Sequence, residues 1–193
     1  HPSVLILKSY LADYLYKGKR YAESDKLLAE TLKQAEALSP PDELSKGYIL
    51  DSTVKSFIAQ KRWDEAIAAA KQLELIDDRF LVDSRSGFNA RELLAQIYAL
   101  KGQTAEATTL AKDSLALKNT HLASNNVELA LGHEVFGKVL ICSGQKDAAS
   151  GEFKQAMSLL EKEYGNSSER VQYWRARYQH LLNQKTSPFE EEQ

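Results

Sequence analysis

Apolar residues recur along this chain at helical spacing nearly throughout. They return every three or four positions from Val4 to Leu15 and again from Tyr21 to Leu32, with a polar, glycine-containing break at residues 17–19. Such spacing places the apolar side chains on one face of an amphipathic helix. The pattern therefore predicts an all-α fold without a sheet.

The breaks between the predicted helices come in two lengths. Short ones, such as residues 60–62 and 101–103, alternate with longer ones, such as residues 77–87. Short turns join antiparallel neighbours, so the alternation predicts a series of helical hairpins. We expect a single domain over residues 1–185, with hairpins at 3–38, 42–76, 87–117 and 127–164, a terminal helix at 169–184, and a flexible tail or linker at 186–193.

A short sequence pattern returns four times at a nearly constant interval. A residue just after a tight turn is followed three positions later by a small residue, and the first members stand 42, 41 and 42 residues apart. A fixed period of about 20–50 residues is typical of repeat architectures, in which each unit buries its apolar face against its neighbours. The four pairs are Tyr21/Ser24, Trp63/Ala66, Thr104/Ala107 and Lys146/Ala149.

On this frame the chain resembles the tetratricopeptide repeat (TPR) family, in its branch with kinesin-light-chain-like repeats of about 42 residues. The most specific matches are Leu94-Ala95-x-x-Tyr98-x-x-x-Gly102 and Phe136-Gly137-x-x-Leu140-x-x-x-Gly144. The resemblance implies a right-handed α-solenoid of stacked antiparallel hairpins, a TPR-like superhelix with a C-terminal capping helix. The small position of the first helix is occupied by Ala12, Val54, Ala95 and Gly137.

HEAT and armadillo arrays share a period of this length and are the structural alternative. The small residues after the turns, and the glycines at 102 and 144, favour the TPR interpretation. Trp63 takes the aromatic position after the turn of the second repeat. We therefore expect Trp63 to be a buried anchor between the two helices of its hairpin.

Composition narrows the classes of partner. A formal net charge of −2 over 193 residues gives no electrostatic case for nucleic acid or an anionic membrane, and no apolar run is long enough to span a bilayer. The only cysteine, Cys142, excludes an intrachain disulfide, and a lone thiol favours a reducing compartment such as the cytoplasm. Because the chain opens His1-Pro2-Ser3, without an initiator methionine, we interpret it as a piece of a longer protein.

The sequence gives no sign of catalytic or metal chemistry. Its histidines are far apart and no pair has metal-ligand spacing, and Cys142 has no basic neighbour in its own helical turn. There is no glycine-rich phosphate loop. We expect no enzymatic activity, no catalytic residues, no metal and no cofactor.

By the resemblance, the first helix of each hairpin lines a concave groove. The pairs Asp51/Lys55 and Glu134/Lys138 stand four residues apart there, a spacing that stabilises an exposed helix by only about 0.2–0.5 kcal/mol. A solvated helix face is therefore the alternative to a binding groove. The predicted partner-binding residues of the concave face are Asp13, Tyr16, Lys17, Tyr48, Asp51, Lys55, Asn89, Glu92, Gln96, Glu134 and Lys138.

These expectations favour a protein–protein interaction scaffold that binds a peptide or protein segment in the groove, as part of a larger protein. The alternative is a ligand-sensing regulatory domain of a signalling or transcription-regulating protein. Acidic residues at positions 13 and 51 would repel the acidic C-terminal tails of chaperones, so we exclude a receptor for those tails. The expected partner is a protein or peptide, with no nucleic acid and no membrane insertion, and the sequence does not indicate a small-molecule ligand.

Overall fold

A computed structural model of the chain describes residues 2–80, 89–122, 126–184 and 186–189. Within these ranges it contains nine α-helices and no strand, so the predicted all-α fold is confirmed. The helices are α1 (Pro2–Lys17), α2 (Tyr21–Glu36), α3 (Glu43–Ala59), α4 (Trp63–Phe80), α5 (Asn89–Leu100), α6 (Thr104–His121), α7 (Asn126–Cys142), α8 (Lys146–Tyr164) and α9 (Glu169–Asn183).

The repeat is visible in the backbone of the tight turns. Lys19, Lys61, Gly102 and Gly144 all have positive φ, between 58° and 77°. In each turn the next N–H donates to the carbonyl five residues earlier, at distances of 2.8–2.9 Å. This is the hydrogen bond of a Schellman helix end, which glycine adopts without strain and lysine adopts at a cost of about 1–2 kcal/mol. The same turn thus recurs with the period read from the sequence.

Small residues lie where the helices of a hairpin approach most closely. Ala12 is fully buried, and its carbonyl accepts a 3.0 Å hydrogen bond from the buried hydroxyl of Ser24. At Gly137, an added Cβ would lie 2.5 Å from the ring of Phe153. A larger side chain at either place would force the helices apart.

The contacts of the chain divide it into two compact units, His1–Leu93 (unit 1) and Leu94–Glu192 (unit 2). The core of unit 1 includes a cluster formed by α1, α2 and α3, with Leu5, Leu28 and Ile49 buried in it. In unit 2, the rings of Phe153 and Tyr178 stack with centroids 4.8 Å apart and join α8 to α9.

Trp63 differs from its prediction, because its side chain is only partly buried. The arginine before it makes the contacts instead: the Arg62 guanidinium lies 4.2 Å from the centre of the Phe57 ring and 2.5 Å from Asp25 Oδ2. Small Ala66 and Ala70 are fully buried on the same helix. The close approach between α3 and α4 leaves no room for a bulky ring at its centre.

The segment after α9 also differs from the expected flexible tail, as far as it is described. Pro188 and Phe189 are buried. Phe189 packs with Ala95 and Ala99 of α5 and with Val139 of α7, all within unit 2. An aromatic side chain in an otherwise polar stretch finds an apolar surface there, which a polarity average over residues 186–193 does not reveal.

Candidate functional site

A pocket of about 230 Å³ opens in unit 1 between α1, α3 and α4. It forms where the first helices of the first two hairpins, α1 and α3, lie side by side over the second helix of the second hairpin. Its lining residues are Tyr10 and Asp13 of α1, Leu44, Gly47, Tyr48, Asp51, Ser52 and Lys55 of α3, and Leu73, Ile76 and Asp77 of α4.

Four of the predicted partner-binding residues line this unit 1 pocket: Asp13, Tyr48, Asp51 and Lys55. Lys55 Nζ lies 2.5 Å from Asp51 Oδ2, one helical turn away. Burial lowers the pKa of Lys55, but the charge of Asp51, the hydrogen bond to Asp51 and the charge of Asp13 together outweigh it, and the net change is a raised pKa. The ammonium group is therefore charged and held in place at neutral pH.

Asp13 is the least compensated charge in the pocket. Its Oδ1 is buried and has no hydrogen-bond partner among the described protein atoms. Burial raises the pKa of the carboxyl above its ordinary 3.8, and a hydrogen bond from Ser52 and the charge of Lys55 only partly offset this. Burying a charge without a full set of partners costs free energy, so the ionised Asp13 reduces the stability of the folded chain.

The rest of the pocket wall is aromatic and aliphatic. The rings of Tyr10 and Tyr48 meet edge to face, with centroids 6.4 Å apart. Gly47 lies beside Ile76, whose Cγ2 would be 3.6 Å from a Cβ at that position. The pocket therefore combines aromatic and aliphatic side chains with a few charged and polar groups, which is the usual composition of a binding pocket.

Next to the pocket, α1 exposes large apolar side chains. Leu7 is 64% exposed and Tyr14 is 76% exposed, and Leu11 lies between them. Together with Tyr10 and Asp13, they line a second, shallower hollow that shares these two residues with the pocket. A contiguous apolar patch of this kind on a protein surface marks an interaction site more often than scattered exposed residues do.

Two further predicted residues of α1 lie near this surface. Tyr16 is partly buried, and its burial, followed by the charges of Asp13 and Asp51, raises its pKa above the ordinary value of 10. Lys17 is exposed and lines the shallower hollow. The charges of Asp13 and Asp51 thus act on Tyr16, while Lys17 belongs to the shallower hollow.

Glu134 and Lys138 do not fit their prediction as exposed groove residues, because both are buried. They form an ion pair of 2.7 Å on α7. Arg177 Nη2 lies 3.1 Å from Glu134 Oε1, and the Tyr178 hydroxyl donates to Glu134 Oε2 at 3.2 Å. Helix α9 covers this face of α7 and satisfies the carboxylate.

The cover continues beyond α9. Phe189 places its ring 5.7 Å from Lys138 Nζ, within the range of a cation–π contact. Burial, and then the charge of Glu134, raise the pKa of Tyr178 above its ordinary 10, so its hydroxyl stays a donor. Glu134 and Lys138 thus contact other parts of unit 2.

Of the predicted residues of α5, neither Glu92 nor Gln96 is among the described residues that line the unit 1 pocket. Glu92 is partly buried in unit 1, and Gln96 is partly buried in unit 2. Asn89 begins α5, and its side chain lies outside the described part of the chain. Their role in binding a partner remains a prediction.

The sequence pattern missed several residues that line the pocket. By its spacing Tyr10 belongs to the apolar face predicted for residues 4–15, although it stands one turn from Asp13 and lines the pocket. Asp77 belongs to a second helix, and it accepts a 3.1 Å hydrogen bond from the N–H of Ala90. A search restricted to first helices could find Tyr10 by its aromatic partner Tyr48, but it could not find Asp77.

Neither metal ligands nor a membrane span is found in the described ranges. No group of three or more His, Cys, Asp or Glu residues there could hold a metal ion. No described helix is long and apolar enough to cross a membrane. The histidine and cysteine side chains described in unit 2 include His133, whose Nδ1 lies 2.7 Å from Glu152 Oε2, and Cys142, whose Sγ lies 3.5 Å from Ser187 Oγ.

Comparison with known proteins gives matches at the level of structure. No protein-family model matches the chain. No curated protein matches it either. Among solved structures, BtubC (BKLC) from P. vanneervenii superposes with a TM-score of 0.74 at 16% identity, covering 93% of this chain and 76% of that one.

A second solved structure contains nearly identical TPR-like repeats that its name assigns to a kinesin light chain of Podosopora anserina. It superposes with a TM-score of 0.66 at 21% identity and covers 99% of this chain and 92% of that one. A point variant of the same repeats gives 0.67 at the same identity and coverage. Together with the recurring helix-end turns and small-residue contacts, these similarities identify the fold of this chain as the TPR-like, all-α helical repeat.

Proposed function

We propose that this chain is a protein-interaction scaffold, and that a peptide or protein segment binds to α1 and α3 of unit 1. The observation that carries the proposal is the unit 1 pocket. It brings together four residues that the repeat pattern predicts for partner binding, and it adds Tyr10 beside Tyr48. Aromatic side chains in a concave site are the commonest anchors of protein interfaces.

The exposed apolar surface of α1 extends the proposed interface beyond the pocket. Leu7, Leu11 and Tyr14 would be covered by a segment that inserts one side chain into the pocket beside Tyr10 and Tyr48. Covering apolar surface contributes about 25 cal/mol per Å². The pocket would then fix the position of the segment, and the α1 surface would supply much of its affinity. The TPR-like fold supports a scaffold in general.

A selection experiment tests the proposal without a known partner. A phage-displayed library of random dodecapeptides is panned on the whole chain, and the selected sequences are synthesised with a fluorescent label. Their affinities are measured by fluorescence anisotropy for the original chain and for Tyr48→Ala. We expect Tyr48→Ala to weaken binding by more than about 1 kcal/mol, or about fivefold.

Tyr173→Ala is the matched control, because Tyr173 is an exposed tyrosine of α9 in unit 2. It should leave the affinity unchanged, and both variants should melt within a few degrees of the original chain. If the selected peptides bind Tyr48→Ala as tightly as the original, the proposed surface is wrong.

A further inference from the structure

Among the described residues, the lining of the unit 1 pocket carries more negative than positive charge. Its described part holds three carboxylates, those of Asp13, Asp51 and Asp77, and one ammonium group, that of Lys55. That ammonium group is already engaged by Asp51 at 2.5 Å. An anionic group entering the pocket would meet an excess of carboxylates, whereas a cationic group would be attracted.

Asp13 is the carboxylate best placed to gain from such a cation. Asp77 accepts a hydrogen bond from the N–H of Ala90, and Asp51 holds Lys55. Asp13 has one buried oxygen without a hydrogen-bond partner among the described protein atoms. A positive charge in the pocket would offset the unfavourable burial of this carboxylate.

The apolar part of the pocket suits the stem of a long basic side chain. Leu44, Leu73 and Ile76 line it, and the volume of about 230 Å³ is that of a hollow for one side chain. Lysine and arginine bury their aliphatic stems against apolar surface while the charged end reaches polar groups. Tyr10 and Tyr48 add rings over which a cation is attracted within about 6 Å.

We propose that the unit 1 pocket receives a basic side chain of the bound peptide, arginine in preference to lysine, with Asp13 as its charged partner. The proposal rests on the proposed function and specifies the chemistry of the partner. Arginine is preferred because its planar guanidinium stacks on tyrosine rings and forms paired hydrogen bonds with a carboxylate, which the ammonium group of lysine cannot do.

The selected peptides provide the test. Among peptides whose binding depends on Tyr48, we expect a fixed arginine, or lysine less often. Replacing that arginine by glutamine should weaken binding to the original chain by about tenfold or more. The same replacement should change binding to Asp13→Asn by less than about twofold, because the two changes remove the same interaction. Asp113→Asn, an exposed aspartate of α6 in unit 2, is the control and should behave like the original chain.

Each other outcome contradicts the inference in a distinguishable way. Tyr48-dependent peptides that carry no basic residue, or that carry an acidic one at the fixed position, would overturn it and leave the proposed function standing. If replacing the arginine lowers the peptide's affinity equally for the original chain and for Asp13→Asn, then the arginine does not interact with Asp13. If no selected peptide depends on Tyr48, the proposed function fails, and this inference fails with it.

Discussion

Units 1 and 2 each carry an acid–lysine pair at the same place in the repeat, but the pair of unit 1 is partly exposed and the pair of unit 2 is buried. Asp51/Lys55 on α3 and Glu134/Lys138 on α7 each place an acid three residues before the small position and a lysine one after it. Both pairs form ion pairs, at 2.5 and 2.7 Å. The side chains of Lys55 and Asp51 are 40% and 17% exposed, whereas those of Lys138 and Glu134 are 5% and 6% exposed.

What packs over each pair explains the difference. In unit 2, Arg177 and Tyr178 of α9 and the ring of Phe189 cover the pair and complete its contacts. In unit 1, the pair borders the pocket, beside exposed tyrosine and leucine side chains of α1. One sequence pattern can therefore supply a binding surface or a structural ion pair, and its neighbours decide which.

Removing the acidic partner of each pair should give the largest difference between the two units in the free energy of unfolding. Glu134→Ala removes a buried carboxylate that Lys138 and Arg177 both contact, and we expect it to lower the free energy of unfolding by about 3–5 kcal/mol. Asp51→Ala, at the more exposed pair, should cost about 1 kcal/mol or less. Urea denaturation of both variants measures the difference. Equal losses would mean that the two environments are not distinct.

Aromatic anchors should show the next largest contrast. Phe153 is buried against Gly137 and stacked on Tyr178, so Phe153→Ala should cost about 3–5 kcal/mol. Trp63 is only partly buried, and we expect Trp63→Ala to cost less, about 1–2 kcal/mol. Thermal melting of the two variants side by side would show this order. A larger loss for Trp63→Ala would restore the sequence-based prediction of its anchoring role.

Replacing Phe189 tests how much its ring, which lies over Lys138, contributes to the stability of unit 2. Phe189→Ala takes away a buried ring near the end of the described chain, and the loss should lie at or below the lower end of about 3–5 kcal/mol. Because the ring lies over Lys138, the variant should also increase the exposure of that lysine to hydrogen exchange and chemical modification. An unchanged melting temperature would show that the segment contributes nothing to the stability of unit 2.

Replacing Asp13 should have a smaller effect on stability, and this effect should be stabilising. Its pKa is raised in the folded chain above the ordinary 3.8, so the folded state is destabilised wherever the carboxyl is ionised. The described charged residues around it are Lys17 of its own helix, Lys55 and Asp51 of α3, and Asp77 of α4. Asp13→Asn should therefore be more stable than the original chain at pH 7.

The pH dependence makes that prediction specific. The advantage of Asp13→Asn should shrink as the pH falls through the folded-state pKa of Asp13, and it should vanish below about 3.8, where both states of the original chain are protonated. Melting curves from pH 3 to 8 measure it. An advantage that is the same at every pH would assign the effect to something other than the charge.

The repeat and the hairpin turns could be predicted from sequence because both follow local rules. The positive-φ residues of the four tight turns stand at one period, and the small residues at Ala12 and Gly137 are required by close helix contact. The burial of Glu134 and Lys138 could not be predicted in the same way. It depends on α9 and on Phe189, which reach α7 from about 40 to 50 residues further along the chain.

For the candidate site, too, only the residues that follow from local sequence position could be predicted. The positions of Asp13, Tyr48, Asp51 and Lys55 follow from counting along first helices, and the structure brings these four together. Asp77 lies on a second helix, so that count cannot reach it. The apolar surface of α1 looked like part of the core, because a helical stripe of Leu and Tyr has the same spacing whether or not another element covers it.

Lysine reactivity tests the contrast between the two units most directly. The chain is acetylated briefly under native conditions, with and without a selected peptide, and the modification of each lysine is measured by mass spectrometry. We predict that Lys55 is modified in the free chain and protected by the peptide, whereas Lys138 stays unmodified in both. A peptide that protects no residue of unit 1, or a Lys138 as reactive as Lys55 in the free chain, would contradict the account.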